Sequence, residues 1–430
     1  GAYTGIAPNA RLVNLRVLNS RGTGSTSSVL SALNWVLLYR SFYNVRVVNM
    51  SLGALAIDSY ANDPVCKAVR SLVDAGVVVV VAAGNDGKGS NNPKIYGHIH
   101  SPGNEPSALT VGASNTFGTD VRSDDAVTTY SSRGPTRSFW TDSNGAKHYD
   151  NIIKPDIVAP GNKLVDAESL GNYLVTTYPQ LDASVSGSDA RKMMWLNGTS
   201  MAAPVVAGTA ALLIQTNSGL TPNMVKTALM YTAQPLPGYN VFEQGAGELN
   251  VEGAVRVAQA INPALKTNVP LGKSLLVGAP PSPSTNIAGQ TFPWAQGVVL
   301  NQCYVTGSEL ITLYQKGYAA GSILNDGVTL SNGAWVLNQR MMTGGLTVGN
   351  NLMTSGGTPL GGGTVFASNG ILIGDGILIG DGILIGDGIL IGDGILIGDG
   401  ILIGDAQALT ALINGDSTTT MTPVKDSTTP

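Results

Sequence analysis

The sequence predicts an α/β protein: a doubly wound, mostly parallel sheet, then a β-rich region ending in a repeat with the period of a short β-helix or solenoid. Three observations carry that expectation. Apolar strand-like runs alternate with helix-like segments through the first part of the chain. One of those runs, Val77 to Ala82, is apolar at every position, as a strand covered on both faces must be. Gly-Ile-Leu-Ile-Gly-Asp then recurs six times without interruption from Gly370 to Asp405.

The elements follow in order. Arg11 to Leu18 has the apolar content of an opening strand. Ser25 to Arg40 reads as a helix, with serines and a threonine at its start and Val29, Leu30, Leu33, Val36 and Leu37 on one stripe. Val45 to Met50 is the next strand. Asp63-Pro64 opens a helix to Ala75, with proline in the first turn where it costs no hydrogen bond, and Gly76 closes it before the valine strand. Ser51-Leu52-Gly53 and Ala83-Gly84-Asn85 therefore fall at carboxyl ends of strands, where open α/β sheets place their binding sites.

Asn197-Gly198-Thr199-Ser200-Met201-Ala202-Ala203-Pro204 leads into a nearly charge-free helix through Ile214, which predicts a buried element. Ser200 stands beside unpaired N–H groups at the positive end of that helix, where a developing oxyanion is stabilised. In isolation a serine there reads first as an N-cap. Thr221-Pro222-Asn223 caps a further helix to about Tyr231, and Val251 to Ile261 forms another.

Gly-Thr-Ser-Met-Ala-Ala-Pro at 198–204 resembles the nucleophile motif of the subtilisin-like serine proteases, the subtilases. Other segments similar to that family's signatures follow in its order: Gly5-Ile6-Ala7-Pro8, Asn49 to Gly53, Ala82-Ala83-Gly84-Asn85, Ser131 to Thr136, and Lys154 to Gly161. The resemblance covers Gly1 to about Asn262 and implies peptide-bond hydrolysis with Ser200 as nucleophile and Asn85 as oxyanion donor. It also implies that Ser51, Leu52, Gly53, Ala83, Gly84, Gly198 and Thr199 line the substrate cleft. Small side chains there imply an open first pocket that tolerates large apolar residues. Two positions depart from the family: Val205 follows Pro204 where histidine is frequent, and Asn197 precedes Gly198 where serine is common.

The family's base is a histidine in a His-Gly-Thr-His-type helix shortly before the segment that starts here at Gly5. His98, His100 and His148 are the chain's histidines, and none lies in such a context. All three are expected in solvated loops. The expectation is an amino-terminally truncated protease lacking the catalytic Asp and His, inactive alone. The alternative is a non-catalytic subtilase-like scaffold whose repeat serves surface display or self-association.

A net charge of −4 and a charged fraction of 12% argue against nucleic acid or an anionic membrane surface as partner, and no run of about twenty apolar residues suggests a span. A polypeptide substrate and a secreted location are expected, the latter from few lysines and Ser, Thr, Asn and Gly-rich loops. No cofactor is expected, and the pattern assigns no calcium ligands. The two cysteines, Cys66 on a core-facing helix and distant Cys303, are expected to stay unpaired. By texture the chain divides into a catalytic domain at 1–262, a Pro/Ser/Gly linker at 263–291, a β-rich region at 292–369, the repeat at 370–405 and a disordered Ser/Thr-rich tail at 406–430. In the repeat, aspartates 375 to 405 read as turn residues more readily than calcium ligands, and the leucines form an exposed stripe open to self-association.

Overall fold

The computed structural model describes residues 5–19, 22–88, 94–145, 147–183, 192–265, 269–301, 303–324, 328–329, 336–337, 351–353, 359–362, 365–367, 400–402 and 406–420. Its centre is a sheet of four parallel strands: β1 (Val47–Met50), β2 (Val78–Ala82), β3 (Leu109–Asn115) and β4 (Ile157–Pro160). They lie side by side in the order β4-β3-β2-β1, and Ala126–Val127 adds antiparallel to the end of β3.

The valine run explains the layering. Side chains alternate along a strand, so Val77, Val79 and Val81 pack with helices α1 (Thr26–Tyr39) and α2 (Pro64–Asp74) on one face. Val78, Val80 and Ala82 join the larger core on the other face, under helices α3 (Thr199–Thr216), α4 (Pro222–Thr232) and α5 (Val251–Ala260). Each fully buried valine contributes about 1.5 kcal/mol or more. Helix starts follow their caps. The Ser25 hydroxyl accepts the Ser28 N–H at 3.2 Å, and the Asp63 carboxylate accepts the Val65 N–H at 2.7 Å beside Pro64 in the first turn. Helix α3 has the length and composition of a membrane span, yet it packs across strands β1 to β4. Its apolarity is that of a central core helix.

Four expectations change. Arg11 to Leu18 is not a strand: Leu18 makes a single bridge to Gly24, and Leu12 is 92% exposed. A strand needs a partner, and among the described residues the sheet ends at β1. The expected linker is in part packed against the first domain. Leu275 and Leu276 are buried in the core that holds Leu229 and Val257, and Ser284–Ile287 pairs with Gln290–Pro293 as a hairpin. The same core continues through Val298, Leu310 and Tyr318, so the early β-rich region buries its apolar side chains there too. Finally, the tail begins with helix α6 (Ala406–Asn414), which buries Ala411 and Ile413. Its apolar residues escape notice among the surrounding threonines.

Most of the repeat lies outside the described residues; Gly400–Leu402 within it runs antiparallel to Thr23–Ser25. Among the described residues no sheet closes on itself, so a solenoid is not seen. Cys66 is a buried free thiol on α2, and burial pushes its pKa well up.

Candidate active site

Three chain segments meet at the carboxyl edge of the sheet. Ser51 to Gly53 leaves β1, Ala83 to Asn85 leaves β2, and Gly198 to Ser200 enters α3. Gly198 has φ of +136°, a conformation open to glycine, and a Cβ there would lie 3.2 Å from Asn85 Nδ2. The close approach of these two chains therefore requires that glycine.

Asn85 is oriented by Thr199. Its Oδ1 accepts the Thr199 backbone N–H at 2.9 Å and the Thr199 hydroxyl at 3.1 Å. With the oxygen committed, the Nδ2 end is what remains to donate, beside Gly198. Thr199 Oγ1 is also 3.1 Å from both the N–H and the carbonyl oxygen of Gly84, so one hydroxyl fixes both residues of the loop.

Ser200 is half-buried, and its hydroxyl donates to the Ser51 carbonyl at 3.3 Å. The return contact is stronger: the Ser51 hydroxyl donates to the Ser200 carbonyl at 2.7 Å. Proline at 204 explains why that carbonyl is open. It has no N–H to give to the oxygen four residues back, so Ser51 fills the gap in the helix ladder. The Ser200 N–H, in the first turn of α3, has no helical partner either and points where an anion would sit.

The predicted cleft residues differ in what they can offer. Ala83 is spent: its N–H donates to Val111 O at 2.9 Å and its carbonyl accepts from His100 N at 3.0 Å. Gly84 is likewise bonded to Thr199 and to the Ser132 N–H. These two shape the cleft without free main-chain groups for a substrate. Among the described residues, no such hydrogen bonds occupy the backbone groups of Leu52 and Gly53, which leaves that edge open.

His100 overturns its expected place in a solvated loop. His100–Ser101 pairs with Ala54–Leu55, and the imidazole Nε2 lies 2.5 Å from Asp86 Oδ2. The two side chains are only 16% and 11% exposed. Burial would raise the Asp86 carboxyl, but the hydrogen bond and charge of His100, helped by His98, outweigh it and hold it below its ordinary range. The side chain packs against both Gly53 and Gly84, where a Cβ would fall 3.0 and 2.8 Å from it. His98 is half-buried, while His148 is exposed, stacked on Trp140 and 3.0 Å from Asp142.

A loop bearing an amide, a serine at a helix entrance and an open strand edge thus meet at one end of the sheet. Residues 1–252 match the Subtilase family (Peptidase S8). The chain belongs to that family. The serine protease AprX of Bacillus subtilis is 35% identical over 260 residues, covering 59% of this chain and 53% of AprX. The extracellular serine proteinase of a Thermus species is 34% identical over 235 residues, covering 55% of this chain and 43% of its own. The human membrane-bound transcription factor site-1 protease is 31% identical over 263 residues, 60% of this chain and 20% of that protein. This subtilase thus spans about half or less of the curated relatives it matches. Among solved structures, a protease from Pseudoalteromonas arctica aligns with a TM-score of 0.41 at 27% identity, covering 59% of this chain and 65% of that one.

The remaining signature segments of the subtilase brace the loop that carries Asn85. Ser132 Oγ accepts the Asp86 N–H at 3.0 Å, and buried Arg133 donates to Gly87 O. Gly198 N donates to Gly161 O at 2.8 Å, which docks the Gly198 turn on the end of β4. Asn197, the departure from the family pattern, gives its N–H and Nδ2 to Leu412 O of helix α6 at 3.2 and 3.0 Å. Sequence reasoning missed the His100–Asp86 pair and this helix. The two glycines facing His100 were the available signal for the first. Among the described residues, no group of three or more His, Cys, Asp or Glu side chains is placed to hold a metal.

Proposed function

We propose that this subtilase is a serine endopeptidase acting through an acyl-enzyme at Ser200. One observation carries the reading: Thr199, the residue before Ser200, ties down Asn85 Oδ1 and leaves Nδ2 at the Gly198 turn. Attack of Ser200 Oγ on a scissile carbonyl would put negative charge on its oxygen, between Asn85 Nδ2 and the Ser200 N–H. One side-chain donor of this kind contributes about 3 kcal/mol, a magnitude known from subtilisin itself. An extended polypeptide would add along Leu52 and Gly53, whose main-chain groups are open, in the manner of an extra strand.

The proton of Ser200 needs a base. Among the described residues its partner is the Ser51 carbonyl, which cannot serve as one at neutral pH. His100 is held by Asp86, and His148 by Asp142. We therefore assign no base for this proton among the described residues. Secretion follows from the composition, and self-association through the Gly370 to Asp405 repeat is part of the same proposal. No cofactor takes part in this mechanism, and no calcium is assigned.

The test is labelling by a fluorophosphonate probe, with and without a fragment of a related subtilase that carries the family's histidine and aspartate, supplied in trans. Labelling at Ser200 that needs the fragment and disappears in Ser200→Ala supports the enzyme. Labelling that never appears after complementation would favour the non-catalytic scaffold.

A further inference from the structure

We propose, resting on the peptidase reading above, that His100 and Asp86 form the floor of the pocket for the substrate side chain next to the scissile bond, and restrict it to glycine, alanine or serine. The pocket lies between the two strand ends that flank Ser200. A Cβ on Gly53 would fall 3.0 Å from His100 Cβ, and one on Gly84 would fall 2.8 Å from His100 Cδ2. The imidazole therefore fills volume that two adjacent glycines leave open.

The ring is not free to swing aside. The His100 backbone N–H donates to Ala83 O at 3.0 Å, and the ring nitrogen is paired with Asp86 in a largely buried setting. Making room for a phenylalanine would break a charge-assisted hydrogen bond and strand a buried carboxylate.

The experiment uses the full protein with its complementing fragment and a series of peptidyl phosphonates that differ only in the residue next to phosphorus: Ala, Ser, Phe and Lys. Inactivation by the Ala and Ser probes is expected to exceed the Phe probe at least tenfold. His100→Gly should raise the Phe-to-Ala ratio at least tenfold, and His100→Ala should move it the same way if the glycine variant folds poorly. Fastest reaction with Phe or Lys in the unaltered protein, or a ratio that neither variant moves, overturns the proposal. A plain fluorophosphonate without peptide reports on Ser200 alone. Anisotropy of fluorescein-labelled peptides with the same four residues reads the pocket even where the serine does not react, so failure of the peptidase reading and failure of the pocket give different results.

Discussion

Ser51 and Ser200 hold each other by exchanged hydrogen bonds, hydroxyl to carbonyl in both directions, at 2.7 and 3.3 Å. Pro204 is the cause of the shorter one, since a residue with an N–H at 204 would compete for the same oxygen. Ser51→Ala should lower stability by about 1 kcal/mol, because the Ser200 carbonyl loses its donor. Adding Pro204→Ala should return part of that loss, because the helix then supplies the missing N–H. A double-mutant cycle on thermal unfolding checks the coupling. Strictly additive effects would contradict this account of the pair.

Thr199 acts on the reaction through Asn85. Thr199→Val keeps the shape and the backbone N–H but removes the hydroxyl that joins Asn85 Oδ1 to Gly84. Complemented peptidase activity should fall about tenfold or more in kcat with little change in KM, since only transition-state stabilisation is loosened. Thr199→Ser restores the hydroxyl and should recover most of the rate. A variant series in which serine and valine behave alike would assign Thr199 to packing instead.

The parts of this architecture that were legible in the sequence are those set by local pattern. The valine run specified a two-faced strand, and Ser25, Asp63-Pro64 and Thr221-Pro222 marked helix starts that the fold uses as caps. The meeting of Asn85, Ser51 and Ser200 was legible because each ends or begins a regular element on the same sheet edge. His100 was hidden because its burial depends on two glycines from other segments, which no local pattern reveals. Arg11 to Leu18 failed for the converse reason: apolar content makes a strand only where a neighbour offers hydrogen bonds.

A buried carboxyl pair away from the cleft sets an alkaline limit on stability. Burial first, and then the charge of Glu248, raise the Asp125 carboxyl to about 9, against the opposing pull of Arg122. The unfolded value is about 3.9. Folded protein thus holds a proton that unfolded protein has lost between those values. The stability this proton brings is complete below pH of about 4 and drains away as pH rises through the folded value. Asp125→Asn keeps a donor facing Glu248 without the charge. Its Tm should exceed that of the parent at pH 8 by several degrees and match it closely near pH 5. A parallel offset at both pH values would show that Asp125 does not titrate in this way.

Helix α6 offers the clearest test of whether the end of the chain serves the site. Asp416 accepts the Thr129 N–H at 2.9 Å, Lys163 Nζ donates to Asn414 O at 2.8 Å, and both Asn197 donors end on Leu412 O. Asn197 is fully buried with this helix in place, so removing residues 406–430 exchanges its two bonds to Leu412 O for water. Each lost internal bond costs about 1 kcal/mol. The truncated protein should melt several degrees lower, and complemented labelling of Ser200 should slow, because Asn197 leads directly into the Gly198 turn. Asp416→Ala removes the Thr129 contacts but keeps Leu412 in place, so it should lower Tm by less and leave the labelling rate near that of the parent. Equal slowing in both variants would mean that the tail acts through general stability, not through Asn197.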